Sequence, residues 1–570
     1  MSVSKQLPLL QKASAYVNRN VNSLNFLSSA IPMHMNGYFE MNRDTVDNSA
    51  KVSFCKRPGV SDFEYITGKT NFKTTNAAER IMGLCTSLSK NNVIYITQDA
   101  TKRYSNFYTL ATNTLTQTDI SATFTAGEYS LTVLDGINYG SNVFYAANNG
   151  TTGGLIDSAG AWSKITDADF TGTGTKTNFV GIDGYLFYGV ISGTGAGRIY
   201  NSDLSAAAVA GGWTATSFLS ASDVPGNIVW LGRIRNYLVC FKQFSIEFFE
   251  DVGNPTPGSP LEPRKQLTKK IGCASASSIQ EVGDGIIFLG VDSNGKAGIF
   301  KIKQDSLEVQ KISDSIIDAN LQNFQTNIGG YPTFSNDPLN VSSAARGQSQ
   351  VIIFQNKELY TIVAYSVFLG NPLSLVYDNE LDFWCIWATN FSNATNDRTF
   401  VPTMSFLLNN NNGGYYTCFA NNFATNTKSR FSVFAPIDAT TTPYWFQDQY
   451  ELAITHIYDF VFVWVSDLFD FGTMDRKLLH SLELIYDTDL SSFASTGSVS
   501  GTLSLYLFRN DFIKLSAQID KTIDNNTFGR AKWNALGSFR RIGFVIYNQM
   551  NSPMRLWAAQ VTYSNGIAHA

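Results

Sequence analysis

The stretch "LGRIRNYLVCFKQFSIEFFEDVGNP", Leu231–Pro255, holds two apolar bursts a few residues apart, closed by Gly253 and Pro255. Tyr237–Phe241 is apolar throughout, the pattern of a strand buried on both faces. Lys242 and Gln243 supply the turn. In Ser245–Glu250 the residues Ile246 and Phe248 fall on one face of a second strand. The reading is a β-hairpin that cannot bury both its faces alone.

The same unit recurs. "NNVIYIT" at Asn91, "SNVFYAANNG" at Ser141, "GYLFYGVISGTG" at Gly184, "DGIIFLGVDSNGKAGIFKI" at Asp284 and "SQVIIFQNKELYTI" at Ser349 repeat an apolar strand, a turn and a second strand. With Val93, Val143, Leu186, Leu238, Ile287 and Ile352 as markers, the spacings are 50, 43, 52, 49 and 65 residues. Small antiparallel sheets repeated at such a period predict an all-β chain whose centre is a β-propeller of about six blades. Residues 76–395 are assigned to it. Residues 1–75, with a Pro-Gly turn at Lys56–Gly59, lack the period and read as an N-terminal arm or platform segment. Residues 396–475 read as an Asn-rich and apolar insertion. Strand patterns return over 476–570, predicting a β-sandwich-like lobe completed by the N-terminal segment.

Composition agrees with β structure: 13% aromatic residues, 44 glycines and only 15% charged residues. Lys and Arg total 42 against 46 Asp and Glu, a formal charge of −4. A protein that grips nucleic acid through phosphates carries a basic excess, so tight DNA binding is disfavoured. The six cysteines form no CxxC and lie mostly in apolar runs, as buried free thiols do. No secretory signal is expected from "MSVSKQLPLLQKASAYVNRN". The apolar run Ile454–Gly472 contains Asp459, Asp467 and Asp470, each costing about 2.5–3.5 kcal/mol near a bilayer centre, so no membrane span is expected.

Few residues carry a pattern of known chemistry. The four histidines, His34, His456, His480 and His569, have no metal-ligand spacing. Asp292–Lys296 ("DSNGK") lacks the later ligands of a calcium loop and reads as a β-turn. Asp183, Glu281 and Asp284 sit near strand starts, where a carbohydrate-cleaving propeller would place acids, but so do ordinary turn residues. No catalytic, cofactor or metal residue is assigned. The basic run Arg264–Lys270 supplies Arg264, Lys265, Lys269 and Lys270 as contacts for an acidic partner or DNA backbone. Arg540 and Arg541, read as adjacent strand residues on opposite faces, are further contact candidates. Phe460, Phe462 and Trp464 are the prominent aromatics of the apolar run Ile454–Gly472.

Four segments, in order, carry a family resemblance. "CKRPGV" at Cys55, "RNYLVCFKQFSIEFF" at Arg235 followed by "KIGCA" at Lys270, "FWCIW" at Phe383, and "SFRRIGFVIYNQMNSPMRLWAAQVTY" at Ser538 resemble the tail hub or nozzle proteins of short-tailed bacteriophages, also called packaged-DNA stabilisation proteins. The resemblance is strongest over about residues 225–275. It implies a virion tail protein without enzymatic activity or cofactor, assembled in the host cytoplasm. It also implies a homo-hexameric ring below the head-to-tail adaptor, with fibres, spikes or tail-tip proteins attached. The channel of such a ring retains packaged DNA and conducts it, touching double-stranded DNA transiently, and loops close it until ejection. Residues 396–475, with Phe460, Phe462 and Trp464, are the candidates for such nozzle or gate loops. A carbohydrate-binding or glycoside-cleaving propeller serving as a host-receptor module is the alternative.

Overall fold

A computed structural model describes residues 2–7, 9, 34–43, 50–62, 69, 71–72, 79–87, 91–127, 129–134, 139, 143–205, 209–254, 258–314, 317–318, 349–354, 357–366, 371–387, 404–409, 415–421, 430–434, 447–449, 457–459, 462–488, 501–509, 516–523, 529–548 and 554–565. The chain forms two compact units. One comprises Phe63–Ala364 with Pro402–Ser432; the other comprises Met1–Asp62, Tyr365–Val401 and Val433–Ala570.

The first unit is a β-propeller. Five sheets follow one another, each an antiparallel meander whose strand order repeats the chain order. The quoted stretch lies within the fourth: Ile228–Ile234, Tyr237–Lys242, Ile246–Asp251 and Leu261–Pro263. Its second strand is buried on both faces, as its apolar run predicts. Leu238 and Cys240 pack with Ile182, Phe187 and Ile199 of the third sheet. Val239 and Phe241 pack with Ile286, Phe288 and Phe300 of the fifth. Successive residues of one strand thus fill two different cores, and each fully buried large side chain contributes about 1.5–3 kcal/mol. Burial fades outward: Gly285–Val291 is almost wholly buried, whereas Val309–Lys311 at the outer edge is exposed or half-exposed.

The innermost strands are Arg80–Ser87, Ser130–Val133, Val180–Ile182, Ile228–Ile234, Gln280–Val282, Ser349–Phe354 and Met404–Asn409. Met404–Asn409 packs back against Arg80–Ser87 and closes the circle. The Phe431 ring joins this closure, 5.0 Å from Tyr95 and 3.9 Å from Phe72. Among the described residues there are therefore seven inner strands, one more than the repeat markers identify. The additional one lies in the stretch read as an Asn-rich loop: Met404–Asn409 pairs with Tyr415–Asn421. The unpatterned asparagines between these strands hid the hairpin.

Tight turns follow local chemistry. Asp183 (φ 47°) and Gly184 (φ 87°) link two strands of the third sheet in the left-handed conformation that Asp and Gly tolerate best. Gly272 is needed for close approach, since a Cβ there would fall 1.8 Å from the Gln243 carbonyl oxygen.

The second unit is the β-sandwich-like lobe. A six-stranded sheet runs Gly37–Arg43, Ala50–Lys56, Arg555–Asn565, Lys477–Asp487 and Gly529–Phe539, with Ser2–Leu7 also pairing Arg555–Asn565. A four-stranded sheet runs Phe462–Val465, Ile542–Asn548, Gly501–Arg509 and Ile519–Ile523. Phe54 of the first sheet stacks on Phe462 of the second at 4.9 Å. The "FWCIW" motif, Phe383–Trp387, is fully buried in this unit, where the Trp387 indole N–H donates to the Gly37 carbonyl at 3.0 Å. Among the described residues no helix is long and apolar enough to cross a membrane.

Candidate functional site

In a meander every turn between first and second or third and fourth strands lies at one end of the blade. The turns between second and third strands, and the crossovers to the next blade, lie at the other. This topology gives the propeller two distinct ends. The crossover end of the fourth sheet carries the turn after Lys242 and the segment Arg264–Ile271. The opposite end carries Arg235–Asn236, Gly283–Asp284 and Gln304–Glu308.

At the crossover end the predicted basic contacts separate. Arg264 is drawn back onto its own blade: Nε lies 2.5 Å from Glu250 Oε2 and Nη1 lies 3.3 Å from Glu262 Oε2. Lys265 is 75% exposed, with Asp223 at 3.7 Å. Lys269 exchanges backbone hydrogen bonds with Ile246, and Lys270 is exposed. Only Lys265 and Lys270 of the four present exposed ammonium-bearing side chains here.

Beneath this end lies a feature the sequence reading missed. Lys242, read as a turn residue, is 1% exposed, and its Nζ lies 2.8 Å from Glu247 Oε1. The same ammonium donates to the Ala221 carbonyl at 2.7 Å and to the Val224 carbonyl. Glu247 in turn accepts the Val224 backbone N–H at 3.2 Å. The Lys-Glu pair thereby holds the crossover that delivers the chain into the fourth inner strand. A buried pair of this kind costs desolvation and is tolerated because its remaining hydrogen-bonding capacity is used. The only sequence signal was a Lys and a Glu five residues apart across an apolar hairpin.

Around the axis, side chains stitch neighbouring blades through backbone groups. Thr132 Oγ1 donates to the Phe179 carbonyl at 2.8 Å. The Asn178 amide donates to the Leu231 carbonyl at 2.8 Å and accepts the Leu231 N–H at 3.1 Å. The Gln280 amide reaches the Ser349 carbonyl at 3.0 Å. These bonds satisfy polar groups on inner-strand edges that no sheet partner reaches.

Several of the carboxylates and histidines singled out in the sequence have protein partners. Lys301 Nζ lies 2.5 Å from Asp284 Oδ2, and Glu281 Oε1 accepts the Arg233 backbone N–H at 3.4 Å. The Asp292 carboxylate accepts the N–H groups of Asn294 and Lys296, building the predicted β-turn. His34 is packed among Phe39, Phe54 and Phe383, and its Nδ1 accepts the Val465 N–H. His480 Nε2 lies 2.9 Å from Ser564 Oγ. His456 and His569 lie outside the described residues. No group of three metal-capable side chains occurs among the described residues. The six cysteines are free thiols, and burial pushes Cys55, Cys85 and Cys273 up to about 12.

In the second unit two expectations are corrected. Phe462 and Trp464 are fully buried in a strand paired with Ile542–Asn548, and the Trp464 indole donates to the Leu9 carbonyl at 3.1 Å. They form core, because the partner strand and the N-terminal segment cover the apolar run. Phe460 lies outside the described residues. Arg540 and Arg541 form the two-residue turn between Gly529–Phe539 and Ile542–Asn548, so they do not occupy opposite strand faces.

The fold is therefore that of an all-β propeller protein with an added sandwich-like lobe. Residues 103–328 match a protein family described as the beta-propeller of bacteriophage P22 Gp10, a segment reaching from the third strand of the first sheet past the fifth sheet. No curated protein matches the chain. Among solved structures it is similar to a putative 6-phosphogluconolactonase from Bacteroides uniformis (12% identity, 62% of this chain and 95% of that one, TM-score 0.34). A putative 6-phosphogluconolactonase from Bacteroides fragilis is similar at 11% identity, over 64% of this chain and 96% of that one, with a TM-score of 0.34. At such scores neither likeness bears on function.

Proposed function

We propose that this chain is a structural virion protein of a short-tailed bacteriophage, forming the tail hub or nozzle ring below the head-to-tail adaptor. In this reading it acts without covalent chemistry. Several copies, six by the family resemblance, enclose a channel that retains packaged DNA, conducts it during ejection, and anchors fibres, spikes or a tail tip. The observation that carries the reading is the match of residues 103–328 to the bacteriophage P22 Gp10 propeller. A conduit also benefits from weak attraction to DNA, and the formal charge of −4 is compatible with low friction.

The test is immunogold electron microscopy of the phage particles that carry the chain. Gold confined to the stub at a single vertex is the expected result. Intact particles without vertex label, despite an antibody that recognises the purified chain, would overturn the reading.

A further inference from the structure

The crossover end of the fourth sheet and the opposite end of the third to fifth sheets differ in charge. At the crossover end of the fourth sheet, Phe244 sits at the tip of a turn and is 48% exposed, its ring laid over Gly226. The neighbouring crossover carries Lys265, 75% exposed, and the exposed Lys270. The Phe244 backbone approaches Gly272, where an added Cβ would lie 3.0 Å from the Phe244 Cα, so the aromatic tip and the lysine-bearing segment are adjoining parts of one surface. At the opposite end of the third to fifth sheets, Asp183, Asp284, Asp305 and Glu308 are exposed, Asp305 to 91%. Arg235 and Lys301 offset part of this charge by pairing with Asp305 and Asp284, and Arg233 and Lys303 add two exposed cations.

We infer that the Phe244–Lys265–Lys270 surface is a docking site for a second copy of this chain, which presents its acidic end around Asp305 and Glu308. The argument is charge complementarity within one sequence: a copy that carries a basic, aromatic patch at one end and carboxylates at the other fits its own neighbour head to tail. Such a contact is heterologous, the type that builds rings or stacks when repeated. An exposed aromatic flanked by lysines is also the composition of an interface centre with a charged rim. Double-stranded DNA is the weaker occupant, since two exposed lysines beside Asp223 neutralise few phosphates. The inference deepens the ring reading and rests on it for the assembled state.

The test uses the full-length purified chain in sedimentation velocity at low and high salt. The native chain should self-associate at low salt, and salt should weaken it. The double variants Lys265→Glu/Lys270→Glu and Asp305→Lys/Glu308→Lys should each associate at least about 10-fold more weakly, because like charges then face each other. Mixed in equal amounts, the two variants should recover association, since each supplies the end the other lacks. Matching thermal midpoints exclude misfolding as the cause of weakening. A native chain that stays monomeric at all concentrations, or charge variants that associate like the native chain, would overturn the inference. So would a mixture no stronger than its components. Loss of binding to a DNA duplex in the lysine variant, without self-association of the native chain, would assign the patch to nucleic acid instead. Vertex labelling is independent of all these outcomes, so failure here leaves the virion reading standing.

Discussion

The propeller and the sandwich-like lobe are both built from antiparallel strands, yet they differ in how far apart in the chain their partners lie. In the fourth sheet, Tyr237–Lys242 pairs with strands a few residues before and after it. In the lobe, Ser2 pairs with Ser564 and Phe54 with Leu556, so one sheet joins the two ends of the chain. Local pairing repeats and leaves a period in the sequence. Pairing across hundreds of residues leaves only strand patterns whose partners cannot be named. The same contrast explains the misplaced gate: Phe462–Val465 looks like an unclaimed apolar run until Ile542–Asn548 is known to cover it.

The largest perturbation should come from the long-range lobe. Trp464→Ala removes a fully buried indole and its bond to the Leu9 carbonyl, and should cost about 4–5 kcal/mol in chemical denaturation. Hydrogen exchange should show Ser2–Leu7 losing protection in that variant, because Leu9 loses its anchor. Native-like protection there would break the account of the N-terminal strand as held through this core.

Next in size is a local defect. Glu247→Ala leaves the buried Lys242 ammonium without its carboxylate, and should cost about 3–4 kcal/mol. Its loss of exchange protection should centre on residues 221–227 and the fourth sheet. Replacing both partners, as Lys242→Met/Glu247→Leu, should recover most of that loss. If the double replacement is as unstable as the single one, the pair has a role beyond mutual compensation.

A smaller effect, opposite in sign, is expected at Lys176. Its ammonium lies 4.7 Å from the Phe170 ring centroid and donates to the Gly174 carbonyl at 3.2 Å; burial lowers its pKa to about 8. The folded state therefore binds its proton less tightly than the unfolded chain does. The resulting destabilisation is fully present below pH about 8 and is relieved as pH rises towards about 10.5, the ordinary lysine value. Lys176→Met should thus raise stability at pH 7 by about 2 kcal/mol and remove that rise with pH. Denaturation midpoints measured across pH 7–10 check this sign. A variant less stable than the native protein at pH 7 would show that the cation–π contact and carbonyl bonds outweigh desolvation.

The smallest effect belongs to the surface. Arg530 lies 3.2 Å from Glu483 across two paired strands of the lobe but is 71% exposed. Arg530→Ala should change stability by less than about 0.5 kcal/mol. A larger loss would mean that this long-range sheet relies on surface charge as well as on its core.

The sequence alone was sufficient for the all-β class, the propeller and the strand-rich terminal lobe. Turn residues, two-faced apolar strands and their recurrence are local properties, written within a few tens of residues. It also located the basic run Arg264–Lys270, though not which of its cations remain exposed. The seventh inner strand, the burial of Lys242 with Glu247, the core role of Phe462 and Trp464, and the turn formed by Arg540 and Arg541 were decided only by tertiary structure. Each depends on which distant segment covers a side chain or pairs with a backbone edge. Burial is a property of the partner as much as of the residue, and the partners of these groups lie beyond any local pattern.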